Sequence, residues 1–339
     1  MNIRIIFILY IMKNIIISGG AGFIGINLIK YLLKNQHIEK IIVVDNFITS
    51  DKNRFLLFKN QYQQEQIILF ENDICDIDLK TKLDEMNIYI INEIYHLASL
   101  ASPPAYKKYP VETLNTGYVA TKYLLHLATN IYNCKILFAS TSEIYGDALI
   151  SPQNENYYGN VNSYGERSCY DESKRIGETL CYTFHNKYGT DVKIARIFNT
   201  YGPYMLLEDG RIITEVIKSL KNNTCLTIFG DGEQTRSFCY VNDTVKMLVK
   251  LMKSNINIPV NIGNNIERSI NKTTDNIEKI WNDMFDTDIT LQRKYVDLTQ
   301  NDPLQRRPCL KLNEQLFGIH TYTSFEDGIK KTIEYFTKS

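Results

Sequence analysis

Apolar and polar positions change rhythm in a repeating way along the first 200 residues. Short apolar runs, Ile15-Ser18, Lys40-Val44, Ile67-Glu71, Glu93-His96, Lys135-Ser140 and Val192-Ile197, alternate with stretches such as Ile24 to Lys34 and Leu114 to Thr129, where apolar residues recur every three or four positions. The runs are rich in Ile and Val and mostly too continuous to be half-exposed, which predicts strands covered on both faces. The intervening periodicity predicts helices packed on them. Strands and helices in this alternation give an α/β fold, a Rossmann-type doubly wound parallel sheet. After Gly202-Pro203 the order breaks into shorter mixed pieces joined by Asn- and Asp-rich links, such as Phe229-Gly230-Asp231-Gly232 and Asn261-Ile262-Gly263-Asn264. A smaller C-terminal lobe with interleaved segments is expected there. The predicted division is 1–12, 13–200 and 201–339.

The first segment needs separate treatment, because Ile3 to Met12 is apolar enough to imitate the core of a signal peptide. It is too short to span a bilayer, and no small-residue cleavage site precedes the first strand. It reads as an extension, with Met12 a natural start. Composition then narrows the function classes. Lys plus Arg (38) balance Asp plus Glu (38), so nucleic acid is not an expected partner. Charged residues at 22% beside 44% hydrophobic ones describe a globular protein and no membrane partner. The cysteines (75, 134, 169, 181, 225, 239, 309) are odd in number and scattered without a C-x-x-C pair, which suits reduced thiols and a cytoplasmic location. The five histidines (37, 96, 126, 185, 320) lack ligand spacing, so no metal is expected.

The most specific local pattern is Ser18-Gly19-Gly20-Ala21-Gly22-Phe23-Ile24-Gly25, with glycines three apart where a strand meets a helix. Gly19 permits the tight turn, Gly22 lets the backbone approach a pyrophosphate at the helix N-terminus, and Gly25 lets helix and strand sit close. The next strand ends at Asp45, about 20 residues on, where a carboxylate accepts hydrogen bonds from an adenosine ribose. This predicts a dinucleotide cofactor, NAD in preference to NADP. Asp73-Ile74, after the third strand, falls beside the expected adenine. Further along, Tyr170-Asp171-Glu172-Ser173-Lys174 puts a phenol and an ammonium on one helix face. Alone this describes many amphipathic surface helices. Behind a dinucleotide turn it predicts a tyrosine base for an alcohol, its phenolate favoured by the lysine and by the positive nicotinamide ring. Thr141-Ser142-Glu143 follows a strand whose carboxyl end is where such sheets place ligands.

In this order the motifs resemble the extended short-chain dehydrogenase/reductases that act on nucleotide sugars. Longer strings are similar to the UDP-glucuronate decarboxylase (UDP-xylose synthase) family: Leu97-Ala98-Ser99 with Ala101-Ser102-Pro103-Pro104, Thr141-Ser142-Glu143, Gly165 to Glu172, and Arg196 to Pro203. Sugar-nucleotide 4,6-dehydratases usually carry Asp-Glu where this chain has Ser142-Glu143, which points away from dehydration. The resemblance implies NAD held along Gly19, Gly22, Phe23, Ile24, Gly25, Asp45 and Asn46, then Asp73, Ile74, Leu97, Ala98, Ser99, Thr116 and Ser140, with Tyr170 and Lys174. The implied catalytic set is Thr141, Ser142, Glu143, Tyr170, Lys174 and Arg306. Asn199, Arg211, Arg236 and Arg306 are implied around a UDP-sugar. It implies further that 13–200 binds NAD, that 201–339 mainly binds the sugar nucleotide, and that helices near Leu114-Ala128 and Ser168-Tyr188 build a homodimer. Alternatives on the same scaffold are a 4,6-dehydratase, a 4-epimerase, or an NAD-binding subunit without turnover. Departures from the family pattern are Asn115 for a lysine, Gly117, Tyr204 for an arginine, Leu100 for a proline and Phe229 for a tyrosine.

Overall fold

Alternate side chains of the first strand fill two different cores, which is why its apolar run is continuous. In this computed structural model, which describes residues 12–62, 64–297, 305–318 and 321–338, Ile15 and Ile17 pack on one face of the central sheet and Ile16 on the other, all fully buried. The apolar segment read as an extension (residues 1–11) and His320 lie outside the described residues.

Seven strands make the sheet: β1 (Lys13–Ser18), β2 (Ile38–Asp45), β3 (Ile67–Glu71), β4 (Glu93–His96), β5 (Lys135–Thr141), β6 (Val192–Ile197) and β7 (Pro259–Ile262). Their order is β7-β6-β5-β4-β1-β2-β3, and every pair is parallel. The order reverses between β1 and β4, and the crevice outside the carboxyl ends of those strands is where such sheets take ligands. Six strands lie where the hydrophobic pattern predicts them. The seventh falls on a segment read as a polar link, because the run is only four residues long and contains Asn261. That side chain is fully buried: it accepts from the Tyr145 hydroxyl at 2.8 Å and donates to the Gln153 and Cys309 carbonyls. A buried amide with all partners supplied is compatible with a strand, but its letter in the sequence reads as a turn.

Helix α1 (Phe23–Asn35) begins directly after the glycine turn, and α2 (Ser168–Tyr188) ends on Gly189, whose φ of +71° suits a left-handed cap. The helix expected around 114–129 is part of a helical stretch over 110–131, with wider turns at 116–120 and 127–131. Gly117 lies where this stretch meets α2: a Cβ there would stand 2.5 Å from Ser173. The family departure at 117 is therefore a packing requirement of this chain. On α2, Leu180 and Phe184 pack against the core beneath the sheet, while Ile176 is exposed.

The C-terminal segments add small sheets of two and three strands. Strand Thr235–Ser237 pairs antiparallel with Glu267–Ser269 and parallel with Gln305–Arg306, in a register that sets Arg306 beside Arg236. Among the described residues no helix is long and apolar enough to cross a membrane.

Candidate active site

Two clefts meet at the carboxyl ends of the strands. The first, about 390 Å³, is lined by Gly19, Gly22, Phe23, Ile24 and Gly25 from the turn, by Asp45 and Asn46 after β2, and by Asp73 and Ile74 after β3. Leu97, Ala98 and Ser99 after β4 and Thr116 close its inner wall. Its shape depends on absent side chains. Gly19 has φ +72° and a Cβ there would lie 2.6 Å from the Ala98 amide nitrogen; on Gly25 it would lie 2.5 Å from the Gly19 carbonyl. With no side chain capping α1 and no acid in its first turn, the helix presents free backbone N–H groups to an anion. This cradle and the Asp45 carboxylate fit a dinucleotide.

Asp45 is itself part of the turn. Its carboxylate accepts from the Ala21 N–H (3.0 Å), the Phe47 N–H (3.0 Å) and the Ser50 hydroxyl (2.8 Å). Burial raises its pKa against these bonds, which favour the anion. We expect Asp45→Ala to lower NAD retention in the purified protein by about 10- to 100-fold, the worth of a charge-assisted hydrogen bond plus a loosened turn. Unchanged cofactor occupancy after dialysis would refute the role.

Asp73 anchors the same rim, accepting from the Asn46 amide (2.8 Å) and the Cys75 N–H (2.8 Å). Ser140 is placed differently. It is buried, lines neither cleft, and donates to Glu178 at 2.5 Å, within a network in which Glu178 also takes two hydrogen bonds from Arg196. Ser142 is likewise buried in the turn Ser142–Tyr145 and lines neither cleft.

The second cleft, about 240 Å³, gathers Glu143, Tyr170, Asn199, Arg236 and Arg306, with Arg211 shared between both clefts. Tyr170 is only 6% exposed and stacks on Tyr106, ring centroids 5.4 Å apart at 11°. Burial raises the phenol above its ordinary value, opposed by a hydrogen bond with the Thr141 side chain and by Arg211. Lys174 donates to the Ala139 carbonyl at 2.8 Å, and burial lowers its pKa to about 7. In the protein alone desolvation dominates both groups; the expected lowering of the phenol sets the lysine together with the positive nicotinamide ring against it.

Glu143 sits at the centre of the charge. Arg306 holds it in a two-pronged pair, one arm to Oε1 and the other to Oε2 at 2.8 Å, and Arg167 adds a further contact to Oε2. Burial pushes the Glu143 carboxyl up, but Arg306, Arg167 and Arg236 together outweigh it and hold the carboxyl below its usual range. Across the whole cleft four arginines (167, 211, 236, 306) face two glutamates (143, 215), an excess of positive charge made for an anionic ligand. Asn199 contributes an amide nitrogen that is buried without a partner among the described residues.

Sequence reasoning passed over Arg167 and Tyr106. Arg167 precedes Tyr170 by three residues, one helical turn, and that spacing was a usable signal. Tyr106 carried none, because its approach to Tyr170 depends on how two distant helices pack. Of the family departures, Asn115 is exposed and lines neither cleft. Tyr204 packs edge-on against Phe58 and close to Tyr335, away from both clefts. Leu100 lines the first cleft and Phe229 the second. Among the described residues no cluster of three or more His, Cys, Asp or Glu is placed to hold a metal.

Similarity to known proteins agrees with this arrangement. Residues 15–263 match the model of the NAD dependent epimerase/dehydratase family. The chain is 39% identical over 330 residues to UDP-glucuronic acid decarboxylase 1 of Danio rerio, covering 96% of this chain and 73% of that protein. It is 39% identical over 316 residues to UDP-glucuronic acid decarboxylase 3 of Arabidopsis thaliana, covering 93% of this chain and 86% of that one. Among solved structures, UDP-glucuronic acid 4-epimerase from Bacillus cereus, in complex with UDP-glucuronic acid and NAD, superposes with a TM-score of 0.83 at 25% identity, over 96% of this chain and 99% of that one. A glycine cradle with its acid, a Tyr-Lys pair on one helix and relatives of this identity lead to one conclusion: the chain belongs to the NAD dependent epimerase/dehydratase family, with the UDP-glucuronic acid decarboxylases among its relatives.

Proposed function

We propose that this protein is an NAD-dependent UDP-glucuronate decarboxylase, which forms UDP-xylose and CO₂ through a 4-keto intermediate. The observation that carries the reading is the cluster of Arg236 and Arg306 around Glu143, in the same cleft as the Tyr170 phenol. Such a site suits a sugar that bears a carboxylate at one end and a diphosphate at the other. When bound, NAD⁺ supplies the redox capacity, taking up the C4 hydride and giving it back later.

The chain's own groups do the rest. Tyr170 accepts the proton of the 4-hydroxyl, with Thr141 in hydrogen-bond reach of the phenol and Lys174 fixed behind it. The resulting ketone stands β to the C6 carboxylate, so loss of CO₂ leaves a stabilised enolate. Arg306 orients the departing carboxylate and Glu143 delivers a proton to C5. The phenol then returns its proton to O4. Asn199, Arg211 and Arg236 hold the nucleotide end, arginine matching the diphosphate with its fork of donors. On this reading 13–200 serves NAD and 201–339 mainly the sugar nucleotide.

A 4-epimerase acting on the same substrate is the second reading, favoured by the likeness to the Bacillus cereus enzyme. A substrate panel separates the two. NAD-loaded protein given UDP-glucuronate should release CO₂ and UDP-xylose and should be inert with UDP-glucose and dTDP-glucose. UDP-galacturonate as the product would favour the epimerase, and turnover of dTDP-glucose a dehydratase.

We further propose a homodimer built on 110–131 and α2. Val111, Leu114, Tyr118, Ile176 and Tyr182 are all exposed on these two helices, an apolar set that a partner copy would cover. Sedimentation at micromolar concentration should give the dimer mass; a monomer would reject it. All seven cysteines are free thiols, which supports a reducing compartment such as the cytoplasm.

A further inference from the structure

A second way into the active site runs behind Glu143. A cavity of about 200 Å³ is walled at its inner end by Glu143, Arg167 and Asp171 and opens past the exposed residues Asp147, Asn160 and Asn162. Glu143 and Arg167 also line the substrate cleft, so their ion pair is the partition between the two spaces. Asp171 stands on the rear side only. It is 93% buried by its 7% exposure, and its Oδ1 has no hydrogen-bond partner among the described residues. A polar space of this size has room for several waters, and the other Asp171 oxygen, Oδ2, lies 4.0 Å from Nε of Arg167, the residue that pairs with Glu143 in the same wall.

Proton balance gives this geometry a task. On the decarboxylase reading, on which this inference rests, Tyr170 takes the 4-hydroxyl proton and later returns it to O4. That proton cannot also serve C5. The bond from C5 to the carboxylate carbon breaks, its electron pair passes into the enolate, and a new C5–H bond requires one proton from solvent for every CO₂ released. Substrate fills the front cleft during this step.

We propose that Asp171 is the relay that draws this proton from solvent through the rear cavity and passes it to Glu143 for delivery at C5. The protonated Asp171 carboxyl gives its proton by way of cavity water to the Glu143 carboxylate, Glu143 gives it to C5, and Asp171 takes another from solvent. The groups around it suit a carboxyl that works near neutrality. Burial first and the Glu143 carboxylate next push Asp171 up to about 7, while Arg167 and Arg306 pull it back and Glu172 adds repulsion. Asp147 faces it across the cavity, and burial raises the Tyr106 phenol and the Cys169 thiol, so neither adds a charge beside it.

The test is the rate of UDP-xylose formation by NAD-loaded wild type, Asp171→Asn and Asn162→Phe, the last a plug at the exposed mouth. Wild-type kcat should fall as pH rises past neutrality. Asp171→Asn should lose about 10- to 100-fold in kcat with little change in KM, should lose that pH dependence, and should regain rate as imidazole buffer is raised. Asn162→Phe should slow severalfold with a larger solvent deuterium isotope effect. Wild-type kcat and pH profile in Asp171→Asn would overturn the relay, as would a slowed variant that keeps the wild-type profile and ignores buffer. If Asp171→Asn does not fold, an unchanged rate and isotope effect in Asn162→Phe overturns it. Failure of the decarboxylase reading looks different: wild type itself would then release no CO₂.

Discussion

Tyr170→Phe should abolish turnover while leaving NAD in place. The phenylalanine ring keeps the stack on Tyr106, so the wall of the second cleft survives, and none of the side chains lining the first cleft is altered. What is lost is the hydroxyl that exchanges a proton with the 4-hydroxyl, together with its hydrogen bond to Thr141. A positioned general base contributes about 10² to 10⁴ in rate, and Phe offers no replacement. The loss to folding should be small, about 1 kcal/mol for one buried hydrogen bond. Steady-state assay beside cofactor occupancy and melting temperature checks all three. Activity near wild type would remove Tyr170 from the chemistry.

Arg306→Ala should cost both rate and stability. Arg306 makes two contacts with Glu143, and both side chains are largely buried, so removing the guanidinium takes away the largest of the three arginine charges, with Arg167 and Arg236, that hold this carboxylate. Breaking a buried pair from one side typically costs about 3–5 kcal/mol, and the melting temperature should drop accordingly. In catalysis the effect should fall after C4 oxidation, which depends on Tyr170 and Lys174. Turnover should drop at least about 100-fold, KM should rise, and near-ultraviolet absorbance of reduced cofactor should build up in a single turnover. Glu143→Gln should accumulate the same absorbance without the full loss of stability, because an amide still accepts from the arginines. Wild-type kinetics in both variants would show that the carboxylate end of the substrate is not handled here.

The parts legible in the sequence are those governed by local pattern. Six strands stood out because their apolar runs are continuous, five of them largely buried and the edge strand β3 partly so, and the cradle because Gly19, Gly22, Gly25 and Asp45 keep fixed spacing along the chain. The seventh strand did not, since Asn261 satisfies its amide inside the core through partners over 100 residues upstream and nearly 50 downstream. The resemblance named Glu143, Arg236 and Arg306, but local pattern does not reveal that they form one charge cluster. Arg236 and Arg306 become neighbours only through the pairing of two short strands, and Arg167 reaches Glu143 from the start of α2. Spacing along a helix likewise reveals the Tyr170-Lys174 pair but not the burial that raises the phenol and lowers the ammonium in the protein alone.

The central claim is redox-neutral loss of the C6 carboxylate. It is tested most directly by giving the NAD-loaded protein UDP-glucuronate labelled with ¹³C at C6 and following both products by NMR in deuterated buffer. The account predicts ¹³CO₂ and UDP-xylose in equal amounts, one deuterium at C5 of the xylose, and no net accumulation of reduced cofactor. Label retained in the sugar, as UDP-glucuronate or its 4-epimer, would contradict it.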